Sequence, residues 1–186
     1  MAIDGMKVID LDSHLAGDLE SWGQTIESED KENWPRRLPT KDNERRKTLI
    51  GNRIMTGSEL GRQKAEKKEW VTEADLTAQG RVRNMDLDGI DAAFLYPSLG
   101  LFAGAIRDPG LAAAVCLAYN RWLADYCKPY PERLFGVAML PMQSVDLAVD
   151  EMRHARETLG MRGGFLRPNP YHGKKMISDR MYEPFW

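Results

Sequence analysis

From residue 78 to residue 166 the sequence alternates amphipathic helical stretches with short apolar ones, and no other feature constrains the fold as much. Ala78, Val82 and Met85 fall at i, i+4 and i+7, one face of a helix. Gly89 stands where a left-handed residue can stop it. Asp91-Ala-Ala-Phe-Leu-Tyr-Pro97 then reads as a buried strand closed by proline. Asp108-Pro109 opens a second helix, with Pro109 in its first position. This helix runs through Trp122 to about Cys127 and ends before Pro129. Leu134 to Leu140 is the next strand, again followed by a proline. Ser144 is a good N-cap for a third helix. Val145, Ala148, Met152, Ala155 and Leu159 line its apolar face, with Asp146, Asp150, Arg153 and Glu157 opposite. Gly160 ends it, and Met161 to Leu166 is a further strand. Apolar strands separated by amphipathic helices imply a parallel sheet with right-handed crossovers.

An earlier strand lies at residues 6–14, Met-Lys-Val-Ile-Asp-Leu-Asp-Ser-His. A long excursion separates it from the regular part of the chain. Residues 27–75 hold 12 Lys/Arg and 11 Asp/Glu, so 23 of 49 positions are charged and few are left for a core. A solvated helix over Arg62 to Trp70 is expected, and otherwise an extended surface segment anchored at Trp34-Pro35 and Trp70. The mixed signs argue against a nucleic-acid arm, although Arg45-Arg46-Lys47 is locally basic.

The 186 residues fit one domain, and a complete (β/α)₈ barrel of about 250 residues does not fit. The net charge of −2 gives no electrostatic case for nucleic acid or membrane binding. The longest apolar run, Leu111 to Ala118, is far short of the roughly 20 residues of a membrane span. Cys116 and Cys127 are too few and too far apart for a disulfide framework or a zinc site. With no signal-peptide pattern at the start, the expected compartment is the cytoplasm.

The sharpest chemical signal is Asp10-Leu-Asp12-Ser-His14. Along a regular strand Asp10, Asp12 and His14 point one way, and Ile9 and Leu11 the other. Carboxylate and imidazole suit Zn²⁺, Mn²⁺ or Fe²⁺. The alternative is that these groups face solvent or cap a turn. A second cluster, Arg167, Asn169, Tyr171 and His172, follows the last strand, at the end of a parallel sheet where ligands bind. Arg167 could hold a substrate carboxylate with two hydrogen bonds, or pair with Asp10 or Asp12. His154, off the apolar stripe of its helix, is expected at the surface. Ser98 lacks the glycine of a nucleophile elbow, and no catalytic residue is identified within the chain.

Taken in order, these pieces resemble the N-terminal half of the amidohydrolase-2 family, the metal-dependent group related to aminocarboxymuconate-semialdehyde decarboxylase. Val8-Ile-Asp-Leu-Asp-Ser-His14 resembles the first-strand metal motif. Arg83 to Asp91 with Leu95-Tyr-Pro-Ser98 is similar to the second βα unit. Ala118 to Leu123 with Pro131-Glu-Arg-Leu-Phe135 is similar to the third, and Leu159 to Gly164 with Leu166-Arg-Pro-Asn-Pro170 to the fourth. Tyr182-Glu-Pro-Phe-Trp186 resembles the start of the following helix.

The resemblance implies an α/β fold: parallel β/α units forming the first half, about four strands, of a TIM-barrel metal-dependent hydrolase. Residues 1–186 would be a single partial barrel domain, with 15–75 as an insertion or lid and no second domain. Asp12 and His14 would be metal ligands, and Asp10, Arg167, Asn169 and His172 would stand behind them or bind substrate. An aspartate replaces the commoner first histidine, which tilts the divalent ion from Zn²⁺, the first expectation, toward Mn²⁺. The family's third ligand, a histidine, follows the fifth strand, and an acidic ligand follows the eighth. Both lie beyond Trp186, so the chain is expected to be truncated and inactive alone. The implied reaction is hydrolysis or nonoxidative decarboxylation of a small, carboxylate-bearing, often aromatic substrate. Two further readings stay open: a half-barrel that assembles with itself or with a missing C-terminal half, and a noncatalytic remnant.

Overall fold

The elements form where local chemistry can start and stop them. The computed structural model describes residues 5–15, 19–24, 26, 32–41, 44, 47–50, 53–56, 77–98, 103–171 and 173–186. Strand β1 (Ile9–Leu15) is followed by a short helix, α1 (Leu19–Gly23), and by strands β2 (Arg36–Leu38), β3 (Lys47–Ile50) and β4 (Arg53–Thr56). Then come α2 (Ala78–Asp88), β5 (Ala92–Pro97), α3 (Pro109–Cys127), β6 (Leu134–Met139), α4 (Val145–Glu157) and β7 (Gly163–Phe165). A 3₁₀ helix over Arg180–Phe185 closes the order.

Each long helix has a side-chain cap. Thr77 Oγ1 accepts from Gly80 N–H at 3.0 Å, and Asp108 Oδ1 from Leu111 N–H at 2.7 Å. Ser144 Oγ accepts from Leu147 N–H at 3.5 Å. Helix α2 stops at Gly89, whose φ of 76° is the left-handed conformation that glycine adopts without strain.

The main sheet has the order β1-β5-β6-β7, all parallel. Each new strand adds beside the previous one, always in the same direction. Right-handed crossovers then place every helix on one face of the sheet. A doubly wound sheet reverses direction once and has helices on both faces. Strictly sequential order is therefore that of a (β/α) barrel wall, with the helices outside.

The helix-side face is the main core. Ala93 and Leu95 of β5, Leu134 and Ala138 of β6, and Val115, Tyr119 and Leu123 of α3 are buried there. Gly136 keeps that contact close, since a Cβ on it would stand 3.1 Å from Leu123 Cδ2. The other face carries aromatic side chains. Phe94 lies opposite Phe135 in register, with ring centroids 5.1 Å apart, and Tyr96 lies 6.4 Å from Phe165.

Three details differ from the sequence expectations. The last strand is only Gly163–Phe165, because two adjacent glycines give it little side chain to pack. The final residues form a capped 3₁₀ turn rather than the start of an α-helix over Tyr182 to Trp186. Tyr182 and Phe185 are buried in it, while Trp186 is exposed and its indole N–H donates to Ile177 O at 3.1 Å. The charged excursion also holds regular structure. Strands β2, β3 and β4 form an antiparallel sheet. Trp22 of α1 is buried against Tyr119, edge to face, at 5.0 Å. Trp34 is an anchor as expected, since a Cβ on Gly23 would meet its Nε1 at 3.0 Å. The helix expected over 62–70, with Trp70, lies outside the described residues. Among the described residues no helix is long and apolar enough to cross a membrane.

Candidate metal centre at the end of the first strand

A bulge in β1 decides where its polar side chains point. Ile9 and Asp10 pair with Ala92 and Ala93, whereas Ser13, His14 and Leu15 pair with Leu95, Tyr96 and Pro97. Three steps along β1 thus match two along β5, an insertion of one residue. Asp12 N–H donates to Asp10 Oδ1 at 2.9 Å, a local turn that accommodates the extra residue. Beyond the insertion the alternation is reversed. Ser13 and Leu15 are buried toward the helices, and His14 faces the aromatic side beside Tyr96, their rings 6.2 Å apart.

The expected convergence of three side chains is therefore corrected. Asp12 and His14 share the aromatic face, while Asp10 falls at the register of Ala93 on the helix side. Asp10 acts instead on the backbone of Asp12. Ile9 and Leu11, expected together on the opposite side, are 50% and 63% exposed.

His14 Nε2 lies 3.5 Å from Asp12 Oδ1, with the two side chains 47% and 92% exposed. Two donors bound to one ion at about 2.1 Å, a tetrahedral angle apart, are separated by about 3.4 Å. The pair fits as two ligands of one divalent ion. Among the described residues no group of three or more His, Cys, Asp and Glu side chains could hold a metal, so the pair leaves positions open for further donors.

A residue that the sequence did not single out reaches the same strand from helix α2. Arg81 Nη1 donates to Ser13 Oγ at 3.3 Å, and its Nη2 to His14 O at 2.9 Å. The partners are 68 and 67 residues apart in the chain, so no local pattern announces the contact.

The second cluster gathers at the far edge of the same sheet end. Arg167 N–H donates to the Tyr171 hydroxyl at 2.7 Å, and Arg167 Nη2 to Asn169 Oδ1 at 3.3 Å. Burial pushes the Tyr171 phenol up. Gly104 lets the β5–α3 loop approach, since a Cβ there would stand 3.2 Å from the Tyr171 ring and 3.4 Å from Arg167 Cδ. Gln143, buried after β6, holds that loop by donating to Ala103 O at 2.7 Å and to Ile106 O at 2.9 Å. His172 lies outside the described residues. β1 and β7 are the two edges of the sheet. Three strand spacings separate them, about 14 Å along the sheet.

Other polar and titratable groups lie in the packing between helices and sheet. Asn120 of α3 donates to Met139 O at 2.9 Å and to Glu151 Oε1 at 2.6 Å, and its Oδ1 accepts from Met139 N–H at 2.8 Å. Burial pushes the Glu151 carboxyl up, opposed by the Asn120 hydrogen bond. Burial also pushes the Cys127 thiol up to about 12 and the Cys116 thiol well up, which leaves neither a reactive thiolate. His154 is half-buried rather than at the surface, with its Nε2 enclosed. A cleft of about 420 Å³ beside Cys127, Leu134 and Gly160 opens at the start of β6, the end of the strands away from Asp12 and His14.

Comparison with known proteins agrees with the fold. The sequence profile of the amidohydrolase family matches residues 79–186. A γ-resorcylate decarboxylase of Polaromonas sp. strain JS666 is 35% identical over 111 residues, which cover 57% of this chain and 33% of that protein. An amidohydrolase from Mycobacterium avium subsp. paratuberculosis superposes with a TM-score of 0.75 at 22% identity, over 98% of this chain and 56% of that one. The dihydroxybenzoic acid decarboxylase of Polaromonas sp. JS666, solved with manganese and the inhibitor 2-nitroresorcinol, superposes with a TM-score of 0.59 at 22% identity. It is matched over 97% of this chain and 45% of its own. The chain thus spans about a third of the curated relative and about half of the solved structures.

Proposed function

This chain belongs to the amidohydrolase family, and we propose that it supplies two metal ligands, Asp12 and His14, and one wall of the substrate site in a nonoxidative decarboxylase of small aromatic carboxylates. The observation that carries this reading is the 3.5 Å approach of His14 Nε2 to Asp12 Oδ1 on the aromatic face, at the C-terminal end of β1. The relatives that bind or act on resorcylate and dihydroxybenzoate favour decarboxylation over hydrolysis, and the manganese of one of them favours Mn²⁺ as the divalent ion.

A divalent ion held there supplies Lewis-acid polarisation of a substrate oxygen. The chain's own residues do the rest of what is assigned to them. Asp12 and His14 hold the ion at the strand end, and Asp10 fixes the backbone of Asp12. Tyr96 and Phe165 offer an apolar wall for an aromatic ring. Arg167, steadied by Asn169, presents a planar cation to a carboxylate. Further ligands come, on the family resemblance, from strands beyond the four described, and residues 1–186 then form a partial barrel domain with 15–75 as its lid.

The test is Mn²⁺ titration of the 186-residue chain followed by water-proton relaxation. The wild-type chain is expected to bind, and Asp12→Ala with His14→Ala to weaken binding by at least about tenfold, the scale on which metal-site changes act. Binding that is indifferent to both substitutions would place any metal elsewhere and end this reading.

A further inference from the structure

We infer that Arg81 is a positioning residue that fixes the Asp12–His14 pair from behind the sheet; the inference rests on the metal reading of those two side chains. Arg81 lies in the first turn of α2, next to the Thr77 cap. Its guanidinium takes hold of β1 at the two residues that set the pair's geometry. Ser13 stands between the ligands, and the His14 carbonyl belongs to one of them.

Along a parallel strand, successive residues direct their backbone groups to opposite sides. Leu15 O accepts from Ser98 N–H at 3.4 Å, on the β5 side. The His14 carbonyl is accordingly directed to the outer edge of β1, where the sheet has no further strand among the described residues. Arg81 supplies at that edge the hydrogen bond that a neighbouring strand would otherwise give. The restraint matters here because the register with β5 is broken between Asp10 and Ser13, the stretch that contains Asp12.

Packing alone does not account for an arginine at this position. Arg81 Nε is buried with no hydrogen-bond partner. An apolar side chain of similar reach would fill the space without an unmet donor. The fork shape explains the choice, since a planar guanidinium holds two acceptors at a fixed spacing and an ammonium does not.

The experiment uses the full 186-residue chain and five proteins: wild type, Arg81→Met, Arg81→Lys, Ser13→Ala and the double variant Ser13→Ala with Arg81→Met. Mn²⁺ affinity is measured by water-proton relaxation, and amide hydrogen exchange is measured on the metal-free protein. Arg81→Met is expected to weaken Mn²⁺ binding by about tenfold. Its faster exchange should be confined to the His14 and Leu15 amides, with β6 unchanged. Arg81→Lys should recover part of the loss. Ser13→Ala should lose less, and combining it with Arg81→Met should add nothing beyond Arg81→Met, because the two share one bond. Unchanged affinity in Arg81→Met, or exchange that rises equally across the sheet, overturns the inference. If Arg81→Met does not fold, unchanged affinity in Ser13→Ala overturns it instead. A wild-type chain that binds no Mn²⁺ ends the metal reading and this inference with it, whereas wild-type binding that Arg81→Met leaves intact ends this inference alone.

Discussion

The two faces of the parallel sheet are built on different principles. Toward the helices, side chains are small or branched and fully enclosed: Ala93, Leu95, Leu134 and Ala138 meet Val115, Tyr119 and Leu123. Asn120 enters there fully paired, with both backbone groups of Met139 and with Glu151. Toward the other face the sheet shows Phe94, Tyr96, Phe135 and Phe165, half-buried, with His14 and Asp12 at its rim. Among the described residues no helix covers that face, as crossovers of one hand require. One side holds the sheet together, and the other carries the aromatic rings and the Asp12–His14 pair.

The contrast can be broken by comparing stabilities. Asn120→Ala should have the largest effect, because it strands the Met139 N–H and C=O and the Glu151 carboxyl inside the core. A loss of about 3 kcal/mol is expected from urea denaturation. Phe94→Ala, on the aromatic face, removes a half-buried ring and its Phe135 partner, and should cost about 1.5 kcal/mol. Equal losses for the two would mean that both faces serve as core.

The smallest effect is the pH dependence of Glu151. Burial raises its carboxyl above the unfolded value, so the native state holds the proton more tightly. The stability it contributes is complete below the unfolded value and is lost as pH rises through the folded one. Urea midpoints of the wild type should therefore fall more steeply from acid toward neutral pH than those of Glu151→Gln, which keeps an oxygen for Asn120. Parallel curves would show that the carboxyl is not strained by its surroundings.

The fold was legible because its signals are periodic and local. The stripe from Val145 to Leu159 and the caps at Asp108 and Ser144 act within a few residues, and the helices start and stop there. The excursion was less legible. Its charge density hid β3 and β4, which pair antiparallel. The site was half legible. Period-two reading placed Asp12 with His14 correctly and added Asp10 wrongly, since a bulge depends on one hydrogen bond between neighbours and leaves no trace in composition. Arg81 and Gln143 act across 37 residues or more, and nothing in their own neighbourhoods marks them.

The bulge has a consequence for how this strand tolerates change. Each side chain of β1 faces its side according to whether it sits an odd or an even number of places from the bulge. Exchanging one residue for another leaves that parity intact. Deleting a single codon between Asp10 and Ser13 does not: either the part before it or the part after it must turn over. The facing of Asp12 and His14 is thus stored as a count as much as an alphabet, and a one-residue deletion upsets it where a substitution leaves it in place.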